Sequence, residues 1–177
     1  RLLGHYQKGQ FNEAEKLAVF LTQEFPENQF AWKVLGAVLS TTGRKPEAVY
    51  ANQKAVILSP QDAEAHNNLG NTLKASGRSE EALASFNKAI ALKPDYAEAY
   101  YNLGNMLKDL RRLEEAEASY RQAIALKPDY FKAHSNLGNT LQGLDRLDEA
   151  LASFNKAIAL KPDYAEAYYN SGNMLKD

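Results

Sequence analysis

Residues 63–96 read AEAHNNLGNTLKASGRSEEALASFNKAIALKPDY, and this stretch decides the fold. Apolar residues recur at three- and four-residue steps through Leu69 and Leu73, which is the spacing of one face of an α-helix. A second stripe with helical spacing follows Gly77, and Pro94 ends it. The stretch therefore predicts a helix, a tight turn, a second helix and a loop that contains a proline.

The same unit recurs along the whole chain with a fixed period of 34 residues. The prolines that share this period are Pro26, Pro60, Pro94, Pro128 and Pro162. The glycines that share it are Gly36, Gly70, Gly104, Gly138 and Gly172. A fixed period of this length is typical of a solenoid, in which each unit is one supersecondary motif stacked on its neighbours. We therefore predict an all-α solenoid of helix-turn-helix repeats.

The residues at fixed positions of each unit resemble those of the tetratricopeptide repeat (TPR) family. The family pattern has a large aromatic residue, Leu-Gly three and four residues later, then small residues and a terminal proline. The residues that meet it are Trp32, Leu35, Gly36, Ala48, Ala55 and Pro60, and again Tyr100, Leu103, Gly104, Ala116, Tyr120, Ala123 and Pro128. The resemblance implies a right-handed α-solenoid, the TPR superhelix, whose first helices line a concave inner face.

We expect residues 1–177 to form a single array. The predicted boundaries are a degenerate first repeat at 1–28, full repeats at 29–62, 63–96, 97–130 and 131–164, and the first helix of a further repeat at 165–177. In the first repeat, Leu2 occupies the glycine position and Ala18 occupies the position of the aromatic residue in the second helix. In the second repeat, Asn52 occupies that aromatic position. Because no second helix follows Asp177, we expect a fragment of a longer protein, with self-association through the uncapped last helix as the alternative.

The composition limits the classes of partner that the chain is expected to bind. The net charge is −1, from 21 basic and 22 acidic residues, which gives no support for a nucleic acid or an anionic membrane as partner. No apolar run approaches the roughly 20 residues that span a bilayer. The absence of cysteine excludes disulfides and thiol catalysis and fits a reducing compartment. We therefore expect a cytoplasmic protein.

The sequence contains no recognisable catalytic constellation. Two of the three histidines, His66 and His134, occupy the position that Trp and Tyr hold in sister repeats, so they are interpreted as packing residues. Acidic pairs such as Glu80–Glu81 open the second helices, where the helix dipole favours negative charge. No phosphate-binding or metal-binding motif is present. We therefore predict no enzymatic activity, no metal site and no cofactor.

Pairs of asparagines recur on the first helices. At 100° per residue, Asn102 and Asn105 lie opposite the core stripe that includes Leu103 and Leu107. The pairs are Asn68 and Asn71, Asn102 and Asn105, Asn136 and Asn139, and Asn170 and Asn173. Since the resemblance places the first helices on the concave face, the eight asparagines would form two parallel ladders along a groove.

An amide side chain offers both a donor and an acceptor, so it can bind the C=O and N–H of a peptide bond whatever side chain that residue carries. We predict that the asparagines bind an extended peptide or protein segment, with mostly sequence-tolerant recognition of its backbone. Lys74, Lys108 and Tyr101 lie beside the ladders and complete the predicted peptide-binding residues. The alternative interpretation is that the asparagines bond neighbouring loops or water.

Charged residues flank the ladders at the ends of the helices. Asp95 with Glu98, and Asp163 with Glu166, have the spacing of a capping box, so the glutamates are interpreted as closing a helix N-terminus. Some TPR domains clamp a chaperone's C-terminal carboxylate with clustered lysines and arginines. Here asparagine fills the interior positions, which argues against such a clamp.

The run Asn-Leu-Gly-Asn, and the phrase KPDYAEAYYNLGN at 93–105, look most like the repeats of O-linked N-acetylglucosamine transferases and bacterial SPINDLY-like proteins. In those proteins a similar asparagine ladder holds protein substrates for a separate catalytic domain. Three hypotheses follow. The first is a non-catalytic protein–protein interaction module, the second is the substrate-docking arm of a larger transferase, and the third is a self-assembling structural spacer.

Overall fold

The computed structural model describes residues 1–174, with side chains through Gly172, and this part of the chain contains helices and loops without strands. Its helices are α1 (Leu2–Gln7), α2 (Phe11–Glu24), α3 (Gln29–Thr41), α4 (Lys45–Leu58), α5 (Ala63–Ala75), α6 (Ser79–Leu92), α7 (Ala97–Asp109), α8 (Leu113–Leu126), α9 (Phe131–Gly143), α10 (Leu147–Leu160) and α11 (Ala165–Met174). From α3 onward, equivalent helices begin 34 residues apart. The prediction of an all-α fold of helix-turn-helix repeats is confirmed.

The chain forms two compact units, Arg1–Pro94 with α1 to α6 and Asp95–Asp177 with α7 to α11. Within each unit the two helices of a repeat pack against each other, and the second helix also packs against the first helix of the next repeat. The first helices of neighbouring repeats are in contact too, as α3 is with α5 and α9 is with α7 and α11. The repeat boundaries and the single array stay predictions.

Small residues allow this close packing. Alanine is completely buried at three positions of the repeat: Ala31, Ala65, Ala99, Ala133 and Ala167; Ala48, Ala82, Ala116 and Ala150; and Ala55, Ala89, Ala123 and Ala157. Because a methyl group takes little space, helices that present it can approach closely and pack at high density. The alanine period therefore determines how near the helices of each unit lie.

In three repeats the glycine of the first helix lies against an aromatic ring of the second helix. A Cβ atom added at this glycine would lie 2.6–2.7 Å from a ring carbon, which is closer than real Cβ atoms approach. The pairs are Gly70 with Phe86, Gly104 with Tyr120, and Gly138 with Phe154. Each ring is completely buried, so only glycine fits beneath it.

The first two repeats depart from this pairing in different ways. In the first repeat the sizes are exchanged, because Leu2 replaces the glycine and Ala18 replaces the ring, and both are buried in one cluster. In the second repeat both members are small, since Gly36 lies against Asn52. The exchange in the first repeat therefore preserves the packed volume, and the change in the second does not.

The turn between the two helices of each repeat contains one residue with positive φ. This residue is Gly9, Gly43 or Gly77 in the first unit, with φ between 71° and 79°. In the second unit it is Arg111, with φ of 62°, or Asp145, with φ of 60°. The left-handed region is open to glycine and unfavourable for residues with a Cβ atom, although aspartate tolerates it better than most.

Replacing Arg111 with glycine is therefore expected to raise the free energy of unfolding by about 0.5–1 kcal/mol. The strain that a Cβ atom causes in this region is relieved, and the greater flexibility of glycine in the unfolded chain offsets part of the gain. The matched change Asp145→Gly should stabilise less, because aspartate occupies this conformation more readily. Urea denaturation of the two variants measures both effects, and a larger gain at Asp145 would contradict the argument.

The capping-box interpretation is wrong at α7. The N-cap residue is Tyr96, one position after Asp95, and its side chain makes no cap hydrogen bond. Asp95 contributes its backbone oxygen instead, which accepts a hydrogen bond from the Ala97 N–H at 3.1 Å. Side-chain caps occur in the first unit, where Asn28 accepts from the Ala31 N–H and Asp62 from the Ala65 N–H. Both distances are 3.1 Å.

The corresponding interpretation at α11 is also wrong. This helix begins at Ala165, so Tyr164 stands between Asp163 and the helix. The backbone oxygen of Asp163 accepts from the Ala165 N–H. Glu166 accepts a hydrogen bond of 2.6 Å from the Tyr164 hydroxyl rather than closing the helix N-terminus. A capping box needs its first residue at the N-cap, and here the aspartates come one residue too early.

Candidate functional site

The predicted asparagines lie on the first helices of their repeats. In the first unit, α5 carries Asn68, which is half-buried, and Asn71, which is exposed. In the second unit the half-buried asparagines of α7, α9 and α11 are Asn102, Asn105, Asn136, Asn139 and Asn170, and we call these five residues the asparagine face. The side chain of Asn173 lies outside the described residues.

Asparagines on neighbouring helices of the second unit are hydrogen-bonded to each other. The Asn136 Nδ2 atom donates to the Asn105 Oδ1 atom at 2.7 Å, and the Asn170 Nδ2 atom donates to the Asn139 Oδ1 atom at 2.9 Å. In each case the first asparagine of one helix reaches the second asparagine of the preceding first helix. The two rows of the asparagine face are therefore cross-linked, and these bonds hold the amide planes in place.

Tyrosines complete this network. The buried Tyr120 hydroxyl donates to Asn105 Oδ1 at 2.8 Å, and Tyr101 Oη accepts from Asn136 Nδ2 at 3.3 Å. The Tyr101 ring also packs on Tyr130, with centroids 4.9 Å apart. Burial raises the pKa of both Tyr120 and Tyr130, so their hydroxyls keep their protons at neutral pH. Sequence reasoning placed Tyr101 here but missed Tyr120, whose hydroxyl distinguishes it from the phenylalanines at the same repeat position.

The network leaves a donor and an acceptor unused. The Asn105 oxygen accepts two hydrogen bonds and the Asn136 nitrogen donates two, which fills the capacity of each atom. Within the described part of the chain, Asn105 Nδ2 and Asn136 Oδ1 have no hydrogen-bond partner. These two groups complement the C=O and the N–H of a peptide bond.

The two predicted lysines lie at the C-terminal ends of first helices. Lys74 and Lys108 lie in the last turns of α5 and α7, where the helix dipole favours a cation, and both are half-buried. Lys33, a possible ligand for a carboxylate, is already paired with Asp62 at 3.1 Å and Glu64 at 2.5 Å. Burial opposes the charge of Lys33, but these hydrogen bonds outweigh it and raise its pKa.

The asparagines of the first unit border a cavity of about 240 Å³. Asn68 and Asn71 line it from α5, together with Asn52 from α4 and Ala37 from α3. Sequence reasoning identified Asn52 as a replacement for an aromatic residue but did not predict the cavity. The sequence did contain a signal for the cavity, because Gly36 and Asn52 are both small at the two positions where other repeats pair a glycine with a ring.

The aromatic position that precedes Leu-Gly makes a hydrogen bond as well as packing. A ring N–H donates to the carbonyl oxygen of the proline six residues earlier. The three pairs are Trp32 with Pro26 at 2.8 Å, His66 with Pro60 at 3.0 Å, and His134 with Pro128 at 3.0 Å. Because a carbonyl oxygen only accepts, each histidine donates from Nε2. These contacts agree with the interpretation of the two histidines as packing residues.

Acidification is expected to destabilise the protein through His134. Burial lowers the pKa of His134 below its usual value of 6.5, so the folded chain binds this proton less readily than the unfolded chain. The free energy of unfolding should therefore fall as the pH drops below about 6.5, until the folded-state pKa is reached. Urea denaturation between pH 7.5 and 5 measures the slope. The slope should diminish in His134→Trp, which copies the donor of Trp32, and an unchanged slope would contradict the assignment.

The second glutamate of the acidic pair at the start of α6 is held by arginine. Both Glu81 oxygens accept hydrogen bonds from Arg78, at 2.6 and 2.7 Å, and these bonds lower the pKa of Glu81. A carboxylate that stays ionised is a poor general acid. Among the described residues, no cluster of three His, Cys, Asp or Glu could hold a metal ion. No helix in residues 1–174 is long and apolar enough to cross a membrane.

Protein-family models cover almost the whole chain. A model described as TPR repeat matches residues 70–110, 104–145 and 143–177, and models described as tetratricopeptide repeat match 3–63 and 51–84. The chain belongs to the tetratricopeptide repeat family. None of the curated protein sequences matches this TPR protein.

Solved structures of TPR proteins resemble the chain closely. The crystal structure of MamA is 28% identical, covers 92% of this chain and 95% of its own, and has a TM-score of 0.81. TTC0263, a thermophilic TPR protein of Thermus thermophilus, is 24% identical over 99% of this chain and 96% of its own, with a TM-score of 0.80. YrrB, described as a TPR protein with an unusual peptide-binding site, is 21% identical over 95% of this chain and 87% of its own, with a TM-score of 0.76. These likenesses agree with the TPR fold of the chain.

Proposed function

We propose that this TPR protein is a non-catalytic module that binds an extended peptide or protein segment along a concave groove lined by the asparagines of its first helices. The observation that carries the proposal is the unused pair of Asn105 Nδ2 and Asn136 Oδ1. A peptide bond presents one acceptor and one donor, and this pair offers the matching donor and acceptor. The peptide-binding site named for YrrB is compatible with such a role.

The cross-links of the asparagine face favour binding because they fix the amides before a ligand arrives. Asn136 is held by Asn105 and Tyr101, and Asn105 is held in turn by Tyr120. Side chains that are already ordered lose less conformational entropy on binding, so more of the hydrogen-bond energy appears as affinity. Each bond to the ligand backbone contributes about 0.5–1.5 kcal/mol.

A second candidate function is the substrate-docking arm of a larger transferase. The resemblance of the asparagine-bearing repeats to those of O-linked N-acetylglucosamine transferases supports it, because an asparagine ladder holds protein substrates there. A self-assembling spacer is the third candidate, supported by the exposed Tyr168 and Tyr169 of α11. In the docking role the asparagine face would be the surface that meets the substrate, and in the spacer role it would be α11. We also propose that the module is cytoplasmic.

Substituting Asn136 with alanine is expected to weaken peptide binding about tenfold, because both the unused oxygen and the bonds that orient Asn105 are lost. The measurement is fluorescence anisotropy with peptides selected from a random displayed library on the wild-type protein. Circular dichroism establishes that each variant is folded.

The matched control is Asn155→Ala, which removes an exposed asparagine from the second helix α10 of the same unit. It should bind the selected peptides with wild-type affinity. If Asn136→Ala and Asn155→Ala bind equally well, the asparagine face is not the binding surface and the proposed function fails.

A further inference from the structure

Three side chains of the second repeat are smaller than their equivalents in the third and fourth repeats. Ala37 occupies the position of Asn71 and Asn105, Ser40 that of Lys74 and Lys108, and Asn52 that of Phe86, Tyr120 and Phe154. In the second unit the corresponding space is filled, since the Tyr120 hydroxyl reaches Asn105. In the first unit α4 carries Asn52 at the ring position, so no ring lies against Gly36 of α3. The cavity of about 240 Å³ lies there, bordered by all three small residues.

The volume suits a side chain of a bound segment. An engineered protein cavity of about 150 Å³ holds benzene, so about 240 Å³ can admit any side chain of moderate length. The cavity is bordered by Asn68 and Asn71, the predicted ligand-binding asparagines of the first unit. A segment bound to these asparagines would therefore have a side chain beside the opening.

The wall of the cavity is rich in acceptors. The Ser40 hydroxyl donates to the Gly36 carbonyl at 2.8 Å, and the Thr72 hydroxyl donates to the Asn68 carbonyl at 2.9 Å. The two hydroxyl oxygens also lie 3.1 Å apart, and either can donate to the other. Each hydroxyl hydrogen is therefore already used within or between α3 and α5, and the lone pairs that remain on the oxygens are the acceptors of the cavity wall. The Asn52 Nδ2 atom donates a hydrogen bond to Thr72 Oγ1 at 2.9 Å.

The amide oxygen of Asn52 lacks a hydrogen-bond donor. The residue is 1% exposed, and its Oδ1 atom has no hydrogen-bond partner among the described residues. This oxygen lies against Gly36, so its missing donor is a cost to the fold rather than an acceptor that a group in the cavity can reach. A cation is disfavoured because Lys45 also borders the cavity.

We propose that this cavity is a side-chain pocket for a carboxamide, the side chain of asparagine or glutamine, in the segment bound by the first unit. The NH₂ group of the ligand donates to the hydroxyl oxygens of Ser40 and Thr72, and its carbonyl accepts from the amide of Asn68 or Asn71. This inference rests on the proposed function for its source of ligand. It adds one sequence-selective position to recognition that is otherwise directed at the backbone.

The pocket is tested without any selected peptide by titrating blocked amino acids into the isotopically labelled protein. The probe is N-acetylglutamine N′-methylamide, and the comparison probes are the equally blocked glutamate, lysine and norleucine. We expect saturable amide shifts in α3 and α5 with the glutamine probe and at least about fivefold weaker binding of the others, the loss of one good hydrogen bond. Absent shifts, or equal binding of all four probes, would overturn the proposal.

The deciding variant is Asn52→Phe, which introduces the phenylalanine found at this position in two other repeats. We expect it to fold, and circular dichroism checks this. It should abolish the shifts produced by the glutamine probe, whereas Asn87→Ala, at an exposed position of α6, should leave them intact. Shifts that persist in Asn52→Phe would place the probe elsewhere and overturn the pocket.

A displayed peptide library then separates the two proposals. Wild-type protein should enrich asparagine or glutamine at one position, and Asn52→Phe should lose that enrichment while still binding peptides. Peptide binding without the enrichment would leave the proposed function standing and overturn the pocket. If no peptide binds either protein, the proposed function fails, and the titration alone decides whether the carboxamide pocket exists.

Discussion

Replacing Phe86 with asparagine is expected to lower the free energy of unfolding by about 4 kcal/mol. Phe86 is completely buried, and its ring lies against Gly70. Truncating such a residue to alanine costs about 3–5 kcal/mol, and an asparagine would also bury an amide that its new surroundings do not satisfy. The substitution would recreate in the third repeat the situation that Asn52 creates in the second. Urea denaturation followed by circular dichroism measures the effect.

The reciprocal change, Asn52→Phe, should stabilise the protein by about 2 kcal/mol. A ring would fill part of the cavity of about 240 Å³ and would remove the buried oxygen that has no donor. Gly36 already provides the space that the ring requires, as Gly70 does for Phe86. If both exchanges destabilised the protein equally, the space beside Asn52 would be unsuited to a ring, and the comparison between repeats would be invalid.

Adding a methyl group at Gly104 should lower the free energy of unfolding by about 2 kcal/mol. The new Cβ atom would lie 2.7 Å from the ring of Tyr120. The ring cannot move away easily, because it is completely buried and its hydroxyl is bonded to Asn105. Overpacking of this kind costs about 1–3 kcal/mol even though alanine is the better helix former.

Gly172→Ala provides the control for Gly104→Ala. Gly172 occupies the same repeat position, but a Cβ atom there meets nothing within 4 Å. Alanine should therefore stabilise α11 by up to about 1 kcal/mol through helix propensity alone. Thermal unfolding and urea denaturation of the two variants distinguish the cases. Equal destabilisation by both would mean that the backbone conformation of the glycine matters rather than the ring above it.

The repeat period allowed the helices and their pairing to be predicted, because helical spacing, glycine and proline act locally. The positions of His66 and His134 were also accessible, since Trp occupies the same place in a sister repeat. Local signals were insufficient at the helix starts. An aspartate three residues before a glutamate suggested a cap, but the helix begins only after the tyrosine that follows Asp95 or Asp163.

The interactions between helices could not be predicted in this way. The bond from Asn136 to Asn105 depends on the distance and rotation of two neighbouring helices, which a helical wheel does not contain. The cavity depends on small residues that meet from α3 and α4. The turn residue Arg111 adopts positive φ because the repeat geometry requires it, although its side chain does not suggest it.

The pairing of glycine with an aromatic ring has a consequence for how such chains change by mutation. The two positions share one volume, so either member can be large, as Leu2 and Phe86 illustrate in different repeats. A change from one arrangement to the other requires two substitutions, and the intermediate is either overfilled or hollow. Both intermediates are destabilised, but the hollow one in the second repeat, lined by Gly36 and Asn52, still forms both of its helices. Duplication followed by a single loss of a ring is therefore a short route from a purely structural repeat to one that can hold a guest.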